Sequence, residues 1–263
     1  MSAVTDLVAA IGRCRLIDLA QPYYPGMPHH PAHPPFLYGL NKKHGDYVIP
    51  GGGSSASEAL ALGAHVGTHI DAFCHFSCNG KLFGGDEAAV VQDYLTGLER
   101  HTVDTIQPIF RRGVLLDIPR VAGVEVLPAD FVVTPDHMDV AGGGAVQPGD
   151  VVLIRTGWAR YWDDAKRFIS EVRSPGPALT GARWLSQRKV FAAGSDTAPF
   201  EFTPSPEMPV HVHLLVESGI HIIECLNLEE LAASSAKEFL FVAAPLKIRG
   251  GTGSPIRPIA LIG

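Results

Sequence analysis

The chain has 263 residues, of which 46% are hydrophobic and 18% are charged, and its net charge is −6. This composition predicts a folded globular protein and excludes a chain that is disordered along most of its length. The excess of acidic residues argues against nucleic acid and anionic membranes as partners, because both attract basic surfaces. No apolar run approaches the roughly 18 residues that a membrane span requires. We find no repeat or linker and predict one domain over residues 1–263.

The counts of a few residue types indicate the cellular compartment and the kind of site. The N-terminus lacks the features of a signal peptide and there is no CxxC pair, so we expect a cytoplasmic protein with free thiols. We interpret these thiols as small buried side chains, at Cys14, Cys74, Cys78 and Cys225. The 28 glycines and 21 prolines predict many turns, and the 12 histidines indicate metal or proton chemistry.

The N-terminal part of the chain combines a predicted helix with a proline-rich loop. Residues 3–13 predict a short amphipathic helix because their apolar side chains recur at helical spacing, and Gly12 favours its end. The segment 21–35 is rich in proline, which fixes its own backbone and disfavours helix at the residue before it. We expect an extended loop there, either a strap over the core or the wall of a ligand pocket.

Downstream of this loop, the sequence alternates between apolar, β-branched runs and helix-like stretches. The runs that we predict as strands are 112–118, 150–158, 189–194, 219–225 and 238–248. Helices are predicted to begin at the N-cap residues Thr134 and Thr180, and a third covers residues 228–233. Because the strands are apolar almost throughout, the sheet should be covered on both faces. The fold class that fits best is α/β, in a mixed α+β arrangement.

Several residues that can bind metal or transfer protons lie close together in the sequence. They are His65, His69, Asp71 and His75. Imidazoles and carboxylates bind first-row divalent metals. In a straight strand His65 and His69 would lie about 13 Å apart, and in a straight helix Asp71 would rotate by about 240° from His65. The chain must therefore curl for these side chains to share one ion, and Gly67 can supply the bend.

The sequence from His65 to His75, HVGTHIDAFCH, closely resembles the HxGTHxDxPxH signature of the cyclase family of metal-dependent hydrolases, which includes kynurenine formamidases and isatin hydrolases. Similar segments extend across most of the chain. One residue departs from the signature, because Phe73 stands where the family has proline. The resemblance implies a single domain with a central mixed, partly barrel-like sheet flanked by helices, of the swivelling β/β/α type. It also implies a homodimer or homotetramer, in which the segment 21–35 is a candidate for contact with a neighbouring subunit.

The resemblance further implies roles for individual residues of the signature. His65, His69 and Asp71 correspond to metal ligands in the family. His75, the last histidine of the signature, corresponds to the residue that transfers protons. Imidazole suits this task because its pKa lies near ambient pH.

Family members with two metal ions take further ligands from a later histidine and glutamate. The matching positions are His211 and Glu224, with His213 as the alternative histidine. His213 would leave a helix about 200° away from His211. Glu224 lies in an otherwise apolar run, where an unpaired carboxylate costs on the order of several kcal/mol, so the run itself favours a functional role. The mixed ligand set can accept Mn²⁺ or Zn²⁺, as one or two ions.

A metal site of this kind activates water for attack on an acyl carbonyl. The sequence has no GxSxG nucleophile motif, which disfavours a covalent acyl-enzyme. The resemblance implies hydrolysis of an amide C–N bond, either in a cyclic amide such as isatin or in N-formylkynurenine. We favour isatin because Phe36, Tyr38, Phe73 and Trp158 can form a flat slot for a small aromatic amide. A non-catalytic protein that binds metal or a small molecule is the alternative from another class.

Overall fold

A computed structural model describes residues 2–169 and 173–263 of the chain. Its strands are β1 Arg15–Asp18, β2 Leu37–Lys42, β3 Ser57–Ala61, β4 His69–Asp71, β5 Gln92–Asp93, β6 Gly97–Leu98, β7 Ile109–Asp117, β8 Val132–Val133, β9 Val151–Arg155, β10 Gly176–Pro177, β11 Ala192–Ser195, β12 His221–Glu224, β13 Glu238–Ala243, β14 Gly253–Pro255 and β15 Ile259–Ile262. Its α-helices are α1 Ala3–Ile11, α2 Ile118–Ala122, α3 Pro135–Val140, α4 Ala165–Ile169, α5 Leu179–Gln187, α6 Pro209–His211 and α7 Glu229–Ala233. None of the helices in these ranges is long and apolar enough to cross a membrane.

The architecture is built on one mixed sheet of nine strands, in the order β1-β15-β13-β7-β9-β11-β12-β4-β14. The central strands β7, β9, β11 and β12 run parallel to one another. The strands on both sides of them pair in antiparallel fashion. Because β1 and β15 are neighbours, the two ends of the chain meet in the same sheet. The predicted mixed α/β fold is confirmed.

The sheet is covered on both faces, as its apolar strands predict. In β9, Val151 and Leu153 belong to one hydrophobic cluster, whereas Val152 and Ile154 belong to another. All of these side chains are fully buried. Neighbouring residues of a strand point to opposite faces, so this alternation means that each face packs against its own apolar layer.

Several element boundaries differ from the sequence-based prediction. The helix α1 begins as expected and ends at Ile11, and α3 begins after the N-cap Thr134. The N-cap predicted at Thr180 was wrong, because Ala178 has extended backbone and its carbonyl accepts the first helical hydrogen bonds. The strand predicted over 238–248 ends at residue 243, since a proline at position 245 cannot donate to the sheet.

Candidate functional site

The turn that carries the predicted ligands is bent at Gly67, as expected. Gly67 has φ +63°, in the left-handed region that favours glycine. The hydroxyl of Tyr23, from the proline-rich loop, donates to the carbonyl oxygens of Val66 and Thr68 at 2.9 and 2.8 Å. A Cβ atom at position 67 would lie 2.4 Å from the Tyr23 ring. The bend therefore needs glycine both for its backbone angle and for the close approach of Tyr23.

This bend brings His65, His69 and Asp71 together, with ligand atoms within 4.8 Å of one another. Nδ1 of His65 lies 2.7 Å from Oδ1 of Asp71, and Nε2 of His69 lies 3.5 Å from the same oxygen. All three side chains are buried. Burial acts to raise the pKa of Asp71, but the surrounding imidazoles, above all His75, hold it well below its usual range. Asp71 is therefore a carboxylate and can act as a metal ligand.

A second group consists of Asp71, His211 and Glu224, again with ligand atoms within 4.8 Å. Glu224 ends β12, and the register of the sheet sets it opposite His69 on β4. Nε2 of His211 lies 3.3 Å from Oε1 of Glu224 and 4.0 Å from Oδ2 of Asp71. Nδ1 of His69 donates to a backbone carbonyl at 2.8 Å, which leaves its Nε2 facing both carboxylates. Asp71 thus belongs to both groups and links them.

The structure reveals a buried carboxylate that sequence reasoning missed, Glu201. Its Oε1 accepts hydrogen bonds from Nδ1 of His211 at 2.7 Å and from the backbone amide of His211 at 3.0 Å. Burial acts to lower the pKa of His211, but hydrogen bonds with Glu201 and Glu224 raise it to about 10. A sequence signal existed, because Glu201 is a single acidic residue between Phe200 and Phe202. The argument applied to Glu224 would have identified it.

His213, the alternative histidine, lies outside both groups. Its Nδ1 lies 2.7 Å from a carboxylate oxygen of Glu217, and its Nε2 lies 2.8 Å from the hydroxyl of Ser186. It belongs to the π-helix Val212–Glu217, which continues α6. The structure therefore brings His211, and not His213, to Asp71 and Glu224.

His75 lies beside the first group without joining it. Its ring stacks on that of His65, with centroids 3.7 Å apart, and lies 6.5 Å from the ring of His211. Burial lowers the pKa of His75 to about 3, against the opposing effect of Asp71. The imidazole is therefore neutral at physiological pH. Its free ring nitrogen can accept a proton, but a pKa this low makes it a weaker base than the imidazole near ambient pH that the sequence predicts.

The members of both groups and His75 line one cavity of about 260 Å³. The proline-rich loop forms part of its wall through His30 and His33, and the ring of His33 lies 5.2 Å from that of His65. The apolar part of the wall consists of Ala32, Phe76, Ala198, Pro199 and Met208. Among the described residues that line the cavity there is no lysine or arginine. The cavity therefore offers imidazoles and carboxylates together with an apolar wall.

The aromatic residues predicted to bind substrate do not line this cavity. Phe36 and Trp158 are buried in a separate hydrophobic cluster. Tyr38 lies on the hairpin of β2 and β3 and is 49% exposed. Phe73 lines a different cavity, where its ring stacks on a histidine. The single chain thus does not form the predicted slot, because Phe36, Phe73 and Trp158 pack elsewhere and Tyr38 is half exposed on the hairpin.

The four cysteines are free thiols, as expected. Cys74 and Cys225 are buried. Cys14 and Cys78 are only partly buried, so the interpretation of all four as buried side chains was wrong for these two. Cys14 follows α1, a helix that buries none of its residues, and Cys78 lies in a turn beside Lys81. Neither location provides a core in which the thiol could be enclosed.

The chemistry of the two groups fits a divalent cation. Both combine imidazole nitrogen with carboxylate oxygen, the donors that Zn²⁺ and Mn²⁺ accept in proteins. Asp71, Glu201 and Glu224 are buried together, and in the described part of the cavity wall, which holds no lysine or arginine, their partners are the imidazoles of His65 and His211. Burying several carboxylates is costly unless they are paired or bind a metal. A cation held by these residues would supply positive charge directly and would replace the proton that His211 otherwise carries between Glu201 and Glu224.

Comparison with known proteins agrees with this geometry. The Cyclase family model matches residues 17–201. The chain is 30% identical to the isatin hydrolase of Roseibium aggregatum, over 77% of this chain and 73% of that protein. It is 25% identical to the kynurenine formamidase of Bacillus cereus, over 92% and 95% of the two chains. The crystal structure of a novel cyclase is similar with a TM-score of 0.87 and 25% identity, over 99% of this chain and 91% of that one. The chain therefore belongs to the cyclase family.

Proposed function

We propose that this protein is a metal-dependent amidohydrolase that opens a cyclic aromatic amide such as isatin to the corresponding aminoaryl carboxylate, isatinate. The observation that carries this proposal is the cavity in which two metal-binding groups share Asp71 and lie next to the neutral His75. The 30% identity to the isatin hydrolase of Roseibium aggregatum supports the same reaction class.

The proposed cofactor is Mn²⁺ or Zn²⁺, bound as one or two ions. His65, His69 and Asp71 would hold one ion, and Asp71, His211 and Glu224 would hold a second. When bound, a divalent cation supplies Lewis-acid chemistry, because it acidifies water and polarises a carbonyl. The buried carboxylates and the oriented imidazoles support binding of the ion by this chain.

The proposed role of His75 is to move a proton from the attacking water to the leaving amide nitrogen. For the first half of this task its neutral ring has a free nitrogen, and the charge of Asp71 favours uptake of the proton against the opposing effect of burial. It suits the second half because the imidazolium that results can donate the same proton to the nitrogen of the broken C–N bond. Its stacking on His65, at 3.7 Å between ring centroids, holds it beside the ligands.

The wall of the cavity favours a compact neutral amide over a substrate with an amino-acid head group. A substrate carboxylate needs a cationic partner, and the described wall contains neither lysine nor arginine. The cavity of about 260 Å³ is also slightly smaller than the roughly 300–1,000 Å³ typical of sites for drug-sized ligands. An arylformamidase acting on N-formylkynurenine is the second candidate, supported by the likeness to the kynurenine formamidase of Bacillus cereus.

A comparison of two substrates tests the proposal. Purified protein loaded with Mn²⁺ or Zn²⁺ should hydrolyse isatin with a higher kcat/KM than N-formylkynurenine. The reverse order would make arylformamidase the function. A protein that binds the cation but turns over neither substrate would support the alternative of a non-catalytic binding protein and contradict the proposed activity.

We further propose that residues 1–263 act as one domain, in a cytoplasmic homodimer or homotetramer whose only partner in the reaction is its small-molecule substrate. The free thiols support a reducing compartment. Exposed apolar side chains on the hairpin of β2 and β3 support self-association, and they include Leu37, Leu40 and Leu60.

A further inference from the structure

Phe73 packs on the side of the 71–75 segment that faces away from the metal-binding cavity. Its ring stacks on that of His221, with centroids 4.1 Å apart and planes 17° from parallel. It also contacts Phe83, at 5.1 Å between centroids. Both Phe73 and His221 line a cavity that is separate from the one containing His75. The pair of Phe73 and His221 therefore packs against the 71–75 segment on the side opposite the cavity that contains His75.

His221 connects this stack to the backbone of a predicted ligand. Its Nδ1 donates a hydrogen bond to the carbonyl oxygen of Asp71 at 2.8 Å, and the side chain is buried. A carbonyl can only accept, so the bond fixes the proton on Nδ1. His221 begins β12, the strand that ends at Glu224. One side chain thus ties Asp71 to the strand that carries Glu224.

The backbone at position 73 is compatible with proline, the residue of the family signature. Ala72 has φ −80° and ψ 157°, the extended geometry that a residue before proline prefers. Phe73 is the first residue of the 3₁₀ turn Phe73–His75, a position that proline tolerates. Among the described residues, no acceptor contacts the Phe73 amide, whereas the amide of Ala72 donates to the carbonyl of Thr252. Proline would therefore lose no hydrogen bond here.

We propose that Phe73 and His221 act together as positioning residues that hold Asp71 and His75 in place. The ring of proline would restrict the backbone covalently, and in this chain stacking of Phe73 on His221 provides the restriction instead. The aromatic face fixes His221, and His221 fixes the carbonyl of Asp71. This inference rests on the proposed function, since it assumes that Asp71 holds a cation.

Five variants test the pair: Phe73→Ala, His221→Ala, the double alanine variant, Phe73→Pro, and Phe73→Pro combined with His221→Ala. The measurements are the Kd of the metal-free protein for Mn²⁺, the exchange of the His75 amide hydrogen, which bonds to the carbonyl of Ala72, and Tm. Each alanine variant should raise the Kd about tenfold, the lower end of the range for outer-sphere partners of a metal site, and speed amide exchange. The Kd of the double alanine variant should be no higher than that of the single alanine variant with the higher Kd, because the two residues act as one unit. Phe73→Pro should bind Mn²⁺ with the wild-type Kd. When His221→Ala is added to Phe73→Pro, the Kd should rise much less than it does for His221→Ala alone.

A matched control separates positioning from general stability. Phe131 and His137 form another phenylalanine–histidine contact, with ring centroids 5.0 Å apart and planes tilted by 37°, and neither residue lines the cavity. Their alanine variants should lower Tm without changing the Kd. The proposal is overturned if His221→Ala lowers Tm but leaves Kd and exchange unchanged, if the two alanine effects simply add, or if Phe73→Pro binds Mn²⁺ as poorly as Phe73→Ala. A wild-type protein that binds no divalent cation contradicts the proposed function and this inference together, whereas unchanged variants of a protein that binds Mn²⁺ contradict the inference alone.

Discussion

Glu201 and His211 are joined by two hydrogen bonds, from the imidazole Nδ1 at 2.7 Å and from the backbone amide at 3.0 Å. Both side chains are buried. Because Nδ1 is engaged, the other nitrogen, Nε2, is directed toward Glu224 and Asp71. The orientation of His211 toward Asp71 and Glu224 therefore depends on Glu201, a residue outside both groups.

We predict that Glu201→Ala weakens the binding of a second cation by roughly 10- to 100-fold, because His211 loses the partner that sets its orientation and basicity. Binding of a first cation by His65, His69 and Asp71 should change little. Isothermal titration of metal-free protein measures both affinities. Glu217→Ala is the matched control, since it removes a similar contact from His213 outside the cavity. Equal affinities in the two variants would show that Glu201 has no such role.

Asp71 is the residue common to both groups, so its loss should affect both. We predict that Asp71→Ala binds no divalent cation at stoichiometric concentration and has no hydrolytic activity. His65→Ala should keep the group of Asp71, His211 and Glu224 and therefore bind one cation. Elemental analysis after dialysis gives the number of ions per chain. Full occupancy in Asp71→Ala would rule out the shared carboxylate.

His75 is predicted to act on protons and not on the cation. His75→Ala should retain the wild-type cation content, while kcat falls by roughly 10²- to 10⁴-fold, the usual effect of losing an acid–base group. The measurement is steady-state isatin hydrolysis at matched cation content. His137→Ala serves as the control, because His137 lies in α3 and does not line the cavity. A kcat near the wild-type value would remove His75 from the mechanism.

The thiols should fall into two reactivity classes. Burial raises the pKa of Cys74 to about 12 and that of Cys225 well above its ordinary value. The thiolate is the reactive form, so both should resist an aromatic disulfide reagent at pH 8 in the folded protein. Cys14 and Cys78, which are partly exposed, should react. We expect two thiols per chain to react rapidly in the native protein and all four to react after denaturation. Rapid reaction of all four thiols in the native protein would contradict the burial of Cys74 and Cys225.

The histidine cluster could be predicted because its members are close in the chain and its geometry is restrictive. The spacing of His65 and His69 excludes a straight strand, and the position of Asp71 excludes a straight helix, so a bend at Gly67 follows from the two together. The central strands could be predicted for a similar reason, since an apolar run such as that of β9 is buried on both faces. In these cases the local sequence contains the relevant physical constraint.

The remaining features depend on contacts between distant parts of the chain. Glu201 acquires its role only because the loop after β11 returns to His211. The strand β4 has three residues, too few for a periodic pattern. The sequence shows that Trp158 and Phe36 are aromatic, but only packing determines that both are buried in a hydrophobic cluster and do not line the cavity. Residue type alone could not distinguish a core ring from a ring at the site.

The most direct test of the proposed metal-dependent hydrolysis is the initial rate of isatin ring opening during a cation titration. Protein stripped with a chelator, and shown by elemental analysis to be free of metal, is titrated with Mn²⁺ or Zn²⁺. We predict that stripping abolishes the rate and that it returns in full at one or two equivalents per chain. An undiminished rate in the metal-free protein, or no hydrolysis at any cation content, would contradict the assignment of this cavity as a metal-dependent amidohydrolase site.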